Sequence, residues 1–231
     1  MIRTESTKEF WNGHAPRLLS VVFLSLLLTS CATIKHLLYT YDPLNFHAVK
    51  DGVVYRSAQP TGRDLRIVVK EHGIKSIINL RGAQPGEGWY DEEVGVSREL
   101  GLERVDISMS ARRLPHREDL LRLLDAFNEL PRPILIHCKG GADRTGEAVA
   151  IFALDHLKWS TREAARQLHP YFWHFPDRYP AKTYFIREVY QGEEWARESY
   201  YPCREDYEYY DREVYCGTSV TPFSPRVDDE R

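Results

Sequence analysis

One cysteine and one arginine are separated by five residues in the stretch His137-Cys138-Lys139-Gly140-Gly141-Ala142-Asp143-Arg144-Thr145-Gly146. A cysteine thiol titrates near 8.5, but a helix N-terminus and a cationic neighbour bring it down to roughly 3.5–7.5. Cys138 placed that way is a thiolate and a nucleophile toward phosphorus. Arg144 carries a planar fork that grips two phosphate oxygens, a geometry lysine lacks. Gly140 and Gly141 keep the turn between them free of side chains, with Ala142 adding only a methyl group. Lys139 adds positive charge at the rim, and the Thr145 hydroxyl is expected to donate a hydrogen bond to the sulfur. The pattern therefore predicts an anion cradle with a nucleophile at its floor.

Such a cradle needs a strand to deliver it and a helix to leave it, so that successive backbone N–H groups converge. Both are legible. Pro133 to His137 is a short apolar run that reads as a buried strand, and Thr145 to Leu157 reads as an apolar helix. Further strands are expected over residues 52–56, 74–80 and 102–109. Helices are expected over 61–72, 90–100, 116–130 and 160–168, the last opened by the capping pair Ser160 and Glu163. Tyr184 to Tyr190 closes the domain. Strands alternating with helices predict an α/β fold, a mostly parallel central sheet flanked by helices.

The loop resembles the signature of the protein tyrosine and dual-specificity phosphatase superfamily, His-Cys-x5-Arg-Ser/Thr. The resemblance runs from about Gly52 to Tyr190 and includes Tyr55-Arg56-Ser57-Ala58-Gln59-Pro60 and Ile77-Ile78-Asn79-Leu80-Arg81; the bacterial dual-specificity-like members are most similar. It implies a phosphocysteine intermediate on Cys138, phosphate held by Arg144 with the backbone of Lys139 to Ala142, no metal and no other cofactor. The implied substrate is a phosphorylated protein or a small phosphorylated molecule, phosphoinositides included. Two carboxylates qualify as general acid. Asp143 lies inside the loop, where myotubularin-like enzymes share such an aspartate; alternatively it caps the following helix or orients Arg144. Asp106 lies near the superfamily's acid loop, but within an expected strand, and residues 108–115 hold no carboxylate. Arg112, Arg113 and His116 border the expected mouth. Two other readings of the loop stay open: a catalytically inactive phosphate-binding module, and a rhodanese-like sulfurtransferase.

The 231 residues exceed one domain, and 42% hydrophobic with 28% charged residues is ordinary for a globular chain. A formal net charge of -3 argues against nucleic acid as a partner. Residues 1–30 are expected to be a signal peptide: Leu18 to Leu28 is apolar apart from Ser20 and Ser25, follows Arg3, Lys8 and Arg17, and is short for a span of about 20 residues. Leu28-Thr29-Ser30-Cys31 looks like a bacterial lipobox, so Cys31 is the expected lipidation site and the membrane an expected partner. That places the protein in the bacterial envelope, facing the periplasm. Residues 31–50 are read as a tether, 51–191 as the phosphatase-like domain, and 192–231 as a charged, tyrosine-rich tail. Of four cysteines, Cys203 and Cys216 remain for a disulfide suited to an oxidising compartment.

Overall fold

The computed structural model describes residues 44–204, 206–210 and 216. The signal peptide, Cys31 and the segment beyond Gly217 lie outside them. Among the described residues no helix is long and apolar enough to cross a membrane.

Five strands form one sheet: β1 (His47–Lys50), β2 (Val54–Ser57), β3 (Ser76–Asn79), β4 (Glu103–Asp106) and β5 (Ile134–His137). Their order is β1-β2-β5-β3-β4, with β1 antiparallel to β2 and all other neighbours parallel. The strand that carries the candidate loop is therefore central. Central parallel strands are covered on both faces and read as continuous apolar runs, which is why Ile134-Leu135-Ile136 was recognisable. Alternation sorts their side chains between two cores. Val54, Ile78, Ile134 and Ile136 meet Leu120, Leu124 and Phe127 of α3 (Arg117–Glu129) and the buried α4 (Asp143–Asp155). Tyr55, Ile77 and Leu135 meet Leu65 and Val68 of α1 (Gly62–His72) and Val96 of α2 (Gly88–Glu99) on the other side. Thr61 and Asp64 close a reciprocal capping box at the start of α1, and Gly73 ends it in the left-handed region at φ 64°.

Three readings need correction. The expected tether contains β1, joined to β2 through Asp51-Gly52, with Gly52 at φ 70°. An Asp-Gly pair between two extended segments is a hairpin signal, and the short strand hid it. The expected tail contains α7 (Glu193–Glu198), and both Ala196 and Tyr200 beyond it are buried. Tyr200 Oη donates to Pro115 O at 2.7 Å, and Arg197 pairs with Asp125 of α3 at 2.6 Å. The charged stretch is thus the outer face of a packed segment. Only Thr161–Ala164 of the helix expected over 160–168 is α-helical (α5); Ala165–Gln167 tightens into a 3₁₀ turn, although the Ser160–Glu163 capping box is present. Closing the domain, α6 (Pro180–Tyr184) widens into a π-turn over Phe185–Val189. Cys203 and Cys216 form a disulfide, their Cα atoms 5.8 Å apart.

Candidate active site

Strand β5 ends at His137, and Cys138 follows at 3% exposure as a free thiol. α4 begins at Asp143, two residues earlier than expected, so Asp143 and Arg144 occupy its first turn. Between them the chain is held from outside. Lys139 O accepts from Gln59 N at 3.2 Å, Gly140 O from Asn45 Nδ2 at 3.1 Å, and Gly141 O from Arg56 Nη2 at 2.7 Å. In a planar trans peptide each carbonyl and the following N–H point in opposite directions. Tying three successive carbonyls outward therefore turns the N–H groups of Gly140, Gly141 and Ala142 away from those donors. Among the described residues none of the three donates to a backbone carbonyl in the loop. Three convergent, unspent donors beside a helix N-terminus are an anion cradle.

The two glycines differ. Gly141 sits at φ 66°, and a Cβ there would lie 2.5 Å from Ala58 N and 2.6 Å from the Ser57 carbonyl carbon. The loop passes so close to the end of β2 that no side chain fits. A Cβ on Gly140 would meet nothing within 4 Å.

Arg56 is the central brace, and its role was missed from sequence. It is fully buried, bonds Gln167 O and Oε1 at 2.8 Å each as well as Gly141 O, and stacks over Phe172 at 4.1 Å. Burial pushes its guanidinium down to about 9, against the pull of Cys138 and Asp143. It stays protonated at neutral pH, so a fixed cation lies behind the loop. A charged residue in a strand with both faces covered must have partners; that was the available signal.

The expected site residues separate on the structure. Arg144 is buried and reaches Leu80 O at 3.4 Å. Lys139 is exposed and Ala142 buried. Asp143 accepts on Oδ1 from the fully buried His174, Nδ1 at 2.7 Å. The Thr145 hydroxyl is buried and makes no hydrogen bond, so the expected bond to the sulfur is not formed. With the helix starting early, its stiff β-branched side chain is set by packing around α4.

Asp106 lies two strands away from β5, the strand that delivers Cys138. It pairs across β4–β3 with Asn79, which pairs with His137 across β3–β5. Two strand spacings, about 9–10 Å, intervene. Its carboxylate is occupied: Asn79 Nδ2 donates at 2.8 Å, Tyr90 Oη at 2.8 Å and Arg104 Nη1 at 2.9 Å. Arg104 also bonds the buried Glu93 at 2.8 Å, and Glu93 lies 3.1 Å from His137 Nε2. That last contact has ion-pair distance without aligned hydrogen-bond geometry. Burial pushes Glu93 up, but His137 and Arg104 outweigh it and hold its carboxyl at about 2. This network orients His137, the residue before the nucleophile. Behind α4, the buried Lys182 bonds Glu147 at 2.8 Å and Arg113 O at 2.5 Å, fixing the helix against residues 110–115. His116 meets Tyr210 Oη at 2.8 Å, so it is engaged by the C-terminal segment.

A family model described as DSP-PTPase phosphatase fused to NAD+ kinase matches residues 41–170, more than half of the chain. Among curated proteins, none matches the chain in sequence. Of solved structures, the core catalytic domain of the PP-IP phosphatase Siw14 from S. cerevisiae, in complex with citrate, is 26% identical; the match covers 68% of this chain and 91% of that one, with a TM-score of 0.55. A DUF442 protein from Shewanella putrefaciens is 17% identical over 63% of this chain and 88% of its own, with a TM-score of 0.51. TpbA of P. aeruginosa is 22% identical over 64% and 86%, with a TM-score of 0.49. With its five-stranded α/β sheet and its cradle between β5 and α4, the chain belongs to the DSP-PTPase family, within the dual-specificity and tyrosine phosphatase superfamily.

Proposed function

We propose that this domain hydrolyses phosphate monoesters through a phosphocysteine on Cys138. The observation that carries the reading is the loop whose carbonyls at Lys139, Gly140 and Gly141 are tied outward, leaving three N–H donors between a buried thiol and a helix N-terminus. The N–H groups and Arg144 hold the three non-bridging phosphoryl oxygens. The Cys138 thiolate attacks phosphorus as the ester P–O bond breaks, and Asp143 gives its proton to the leaving oxygen. Water then attacks the phosphocysteine, its proton passes to the Asp143 carboxylate, and phosphate leaves with the thiolate restored. Asp143 is the acid because it lies in the loop with one carboxylate oxygen open, whereas Asp106 is filled by three donors.

For the substrate, the likeness to Siw14 supports a phosphorylated inositol beside phosphotyrosine and phosphoserine or phosphothreonine, and exposed Lys139 suits either class. The test is hydrolysis of an aryl phosphate, then of a panel of these esters, by the wild type and Cys138→Ser. The reading expects turnover lost in the variant; equal rates would leave only a phosphate-binding module. The sequence around Cys31 supports a lipid anchor in the envelope, and the Cys203–Cys216 disulfide suits an oxidising compartment. Mass spectrometry of the mature N-terminus checks this: an acylated Cys31 is expected, and an intact Met1 would overturn it.

A further inference from the structure

Residues 171–175 alternate. Tyr171, Trp173 and Phe175 are exposed, whereas Phe172 lies under the Arg56 guanidinium and the His174 ring is fully buried. Phe172 O accepts from Asn45 Nδ2, the same amide that holds Gly140 O. His174 Nδ1 lies 2.7 Å from Asp143 Oδ1, and its Nε2 lies 3.1 Å from Thr183 Oγ1 on α6. Trp173, between the two inward residues, takes the left-handed region at φ 65°, a conformation that persists in a bulky residue only when its surroundings impose it. The segment is thus tied to the loop directly at Asp143 and indirectly through Asn45 and Arg56, and the direct tie is the carboxylate that the mechanism uses.

We propose that His174, held by Thr183, is a positioning residue that fixes the Asp143 carboxyl so that Oδ2 alone meets the leaving oxygen. This rests on the reading of Asp143 as general acid and names what holds the acid in place. A carboxyl on a free rotor presents either oxygen in many orientations, and orientation is a large part of what an enzyme contributes. With Oδ1 hydrogen-bonded to a ring bonded at both nitrogens, that freedom is removed. Nδ1–H donates to Oδ1 whether Oδ2 carries the proton or has passed it to the ester oxygen, so the geometry survives both half-reactions. Arg56 and Glu147 are among the charged groups that feel Asp143. Arg56 and Glu147 act through space, and neither is hydrogen-bonded to the carboxyl.

Leaving-group dependence isolates this role. Protonation matters most when the departing alcohol is a poor leaving group, so phenyl phosphate and dinitrophenyl phosphate are compared in the full chain. His174→Leu is expected to lower kcat/KM on phenyl phosphate by about 10²-fold, with kcat/KM on dinitrophenyl phosphate within about threefold of wild type, because kcat/KM reports P–O cleavage and not the later hydrolysis of the phosphocysteine, in which Asp143 is the base. His174→Asn, whose amide can donate from near the Nδ1 position, restores kcat/KM on phenyl phosphate to within about tenfold of wild type. Thr183→Val, a milder change that keeps the ring, shifts the same ratio in the same direction by a smaller factor. Equal losses on both esters in folded His174→Leu and Thr183→Val, or an Asn variant no better than Leu, would overturn the proposal while leaving Cys138 chemistry standing. Absence of any Cys138-dependent turnover in the wild type would overturn both readings together.

Discussion

Two carboxylates stand near the C-terminal edge of the same sheet, and their surroundings differ in kind. Asp143 opens α4 directly after the loop from the central strand, and a single buried histidine holds one of its oxygens. Asp106 ends the edge strand β4, and Asn79, Tyr90 and Arg104 fill its lone pairs. One group is oriented and left with reactive capacity; the other is spent on structure. Proton transfer needs an oxygen available to the reacting atom, so the count of donors, more than the presence of a carboxylate near the site, is the ground on which we propose Asp143 as the acid and Asp106 as an anchor.

Removing each charge in turn separates the two carboxylates most strongly. Asp143→Asn is expected to lower kcat on a poor leaving group by about 10²–10⁴-fold, the usual worth of a positioned general acid. It should also abolish the limb of the pH–rate profile that requires a protonated acid. Asp106→Asn is expected to cost less than about tenfold in rate, and instead to lower stability by about 1–3 kcal/mol, because Arg104 loses an ionised acceptor. Steady-state kinetics beside urea unfolding reads both. A larger rate loss in Asp106→Asn would reverse the assignment.

The backbone on the Asp143 side gives a second contrast. Gly141→Ala forces a Cβ against Ser57 and Ala58 at a positive φ. It is expected to destabilise by roughly 3 kcal/mol and to disrupt phosphate binding. Gly140→Ala, pointing into open space, is expected to stay within about 1 kcal/mol. Thermal unfolding with and without phosphate distinguishes them.

A smaller effect tests the Asp106 side through Glu93. Its folded value of about 2 lies below its ordinary 4.5, so it stabilises the fold fully above about pH 4.5 and loses that contribution as pH falls through about 2. The gap corresponds to about 3 kcal/mol at most. The stability difference between wild type and Glu93→Gln is therefore expected to shrink as pH falls across that window. A difference independent of pH would mean that His137 and Arg104 do not hold this carboxylate.

The contrast also marks where sequence reasoning reached. Apolar β5, amphipathic α3 and the glycine-rich turn are local patterns, and each announced itself within a few residues. The residues that brace the site act at long range: Arg56 meets Gln167, and His174 meets Asp143. Neither has a periodic or capping signature. Strand β1 was hidden because four residues alternating between partly buried and exposed look like a linker. The segment around α7 was hidden because its outward charges mask the inward Ala196 and Tyr200. For Asp106 the missing information is of a different kind. Proximity in sequence to an expected acid loop says nothing about whether a carboxylate is already saturated.

The proposed mechanism requires that the Cys138 thiol become covalently phosphorylated during turnover. The direct measurement is acid-quenched mass spectrometry of Asp143→Asn during turnover of an aryl phosphate with a good leaving group. That variant can form the intermediate but lacks the base that speeds its hydrolysis. The expected result is one phosphoryl group on the peptide carrying Cys138, absent in the double variant with Cys138→Ser. Product release without any phosphorylated Cys138 peptide, or equal product release by both variants, would contradict it.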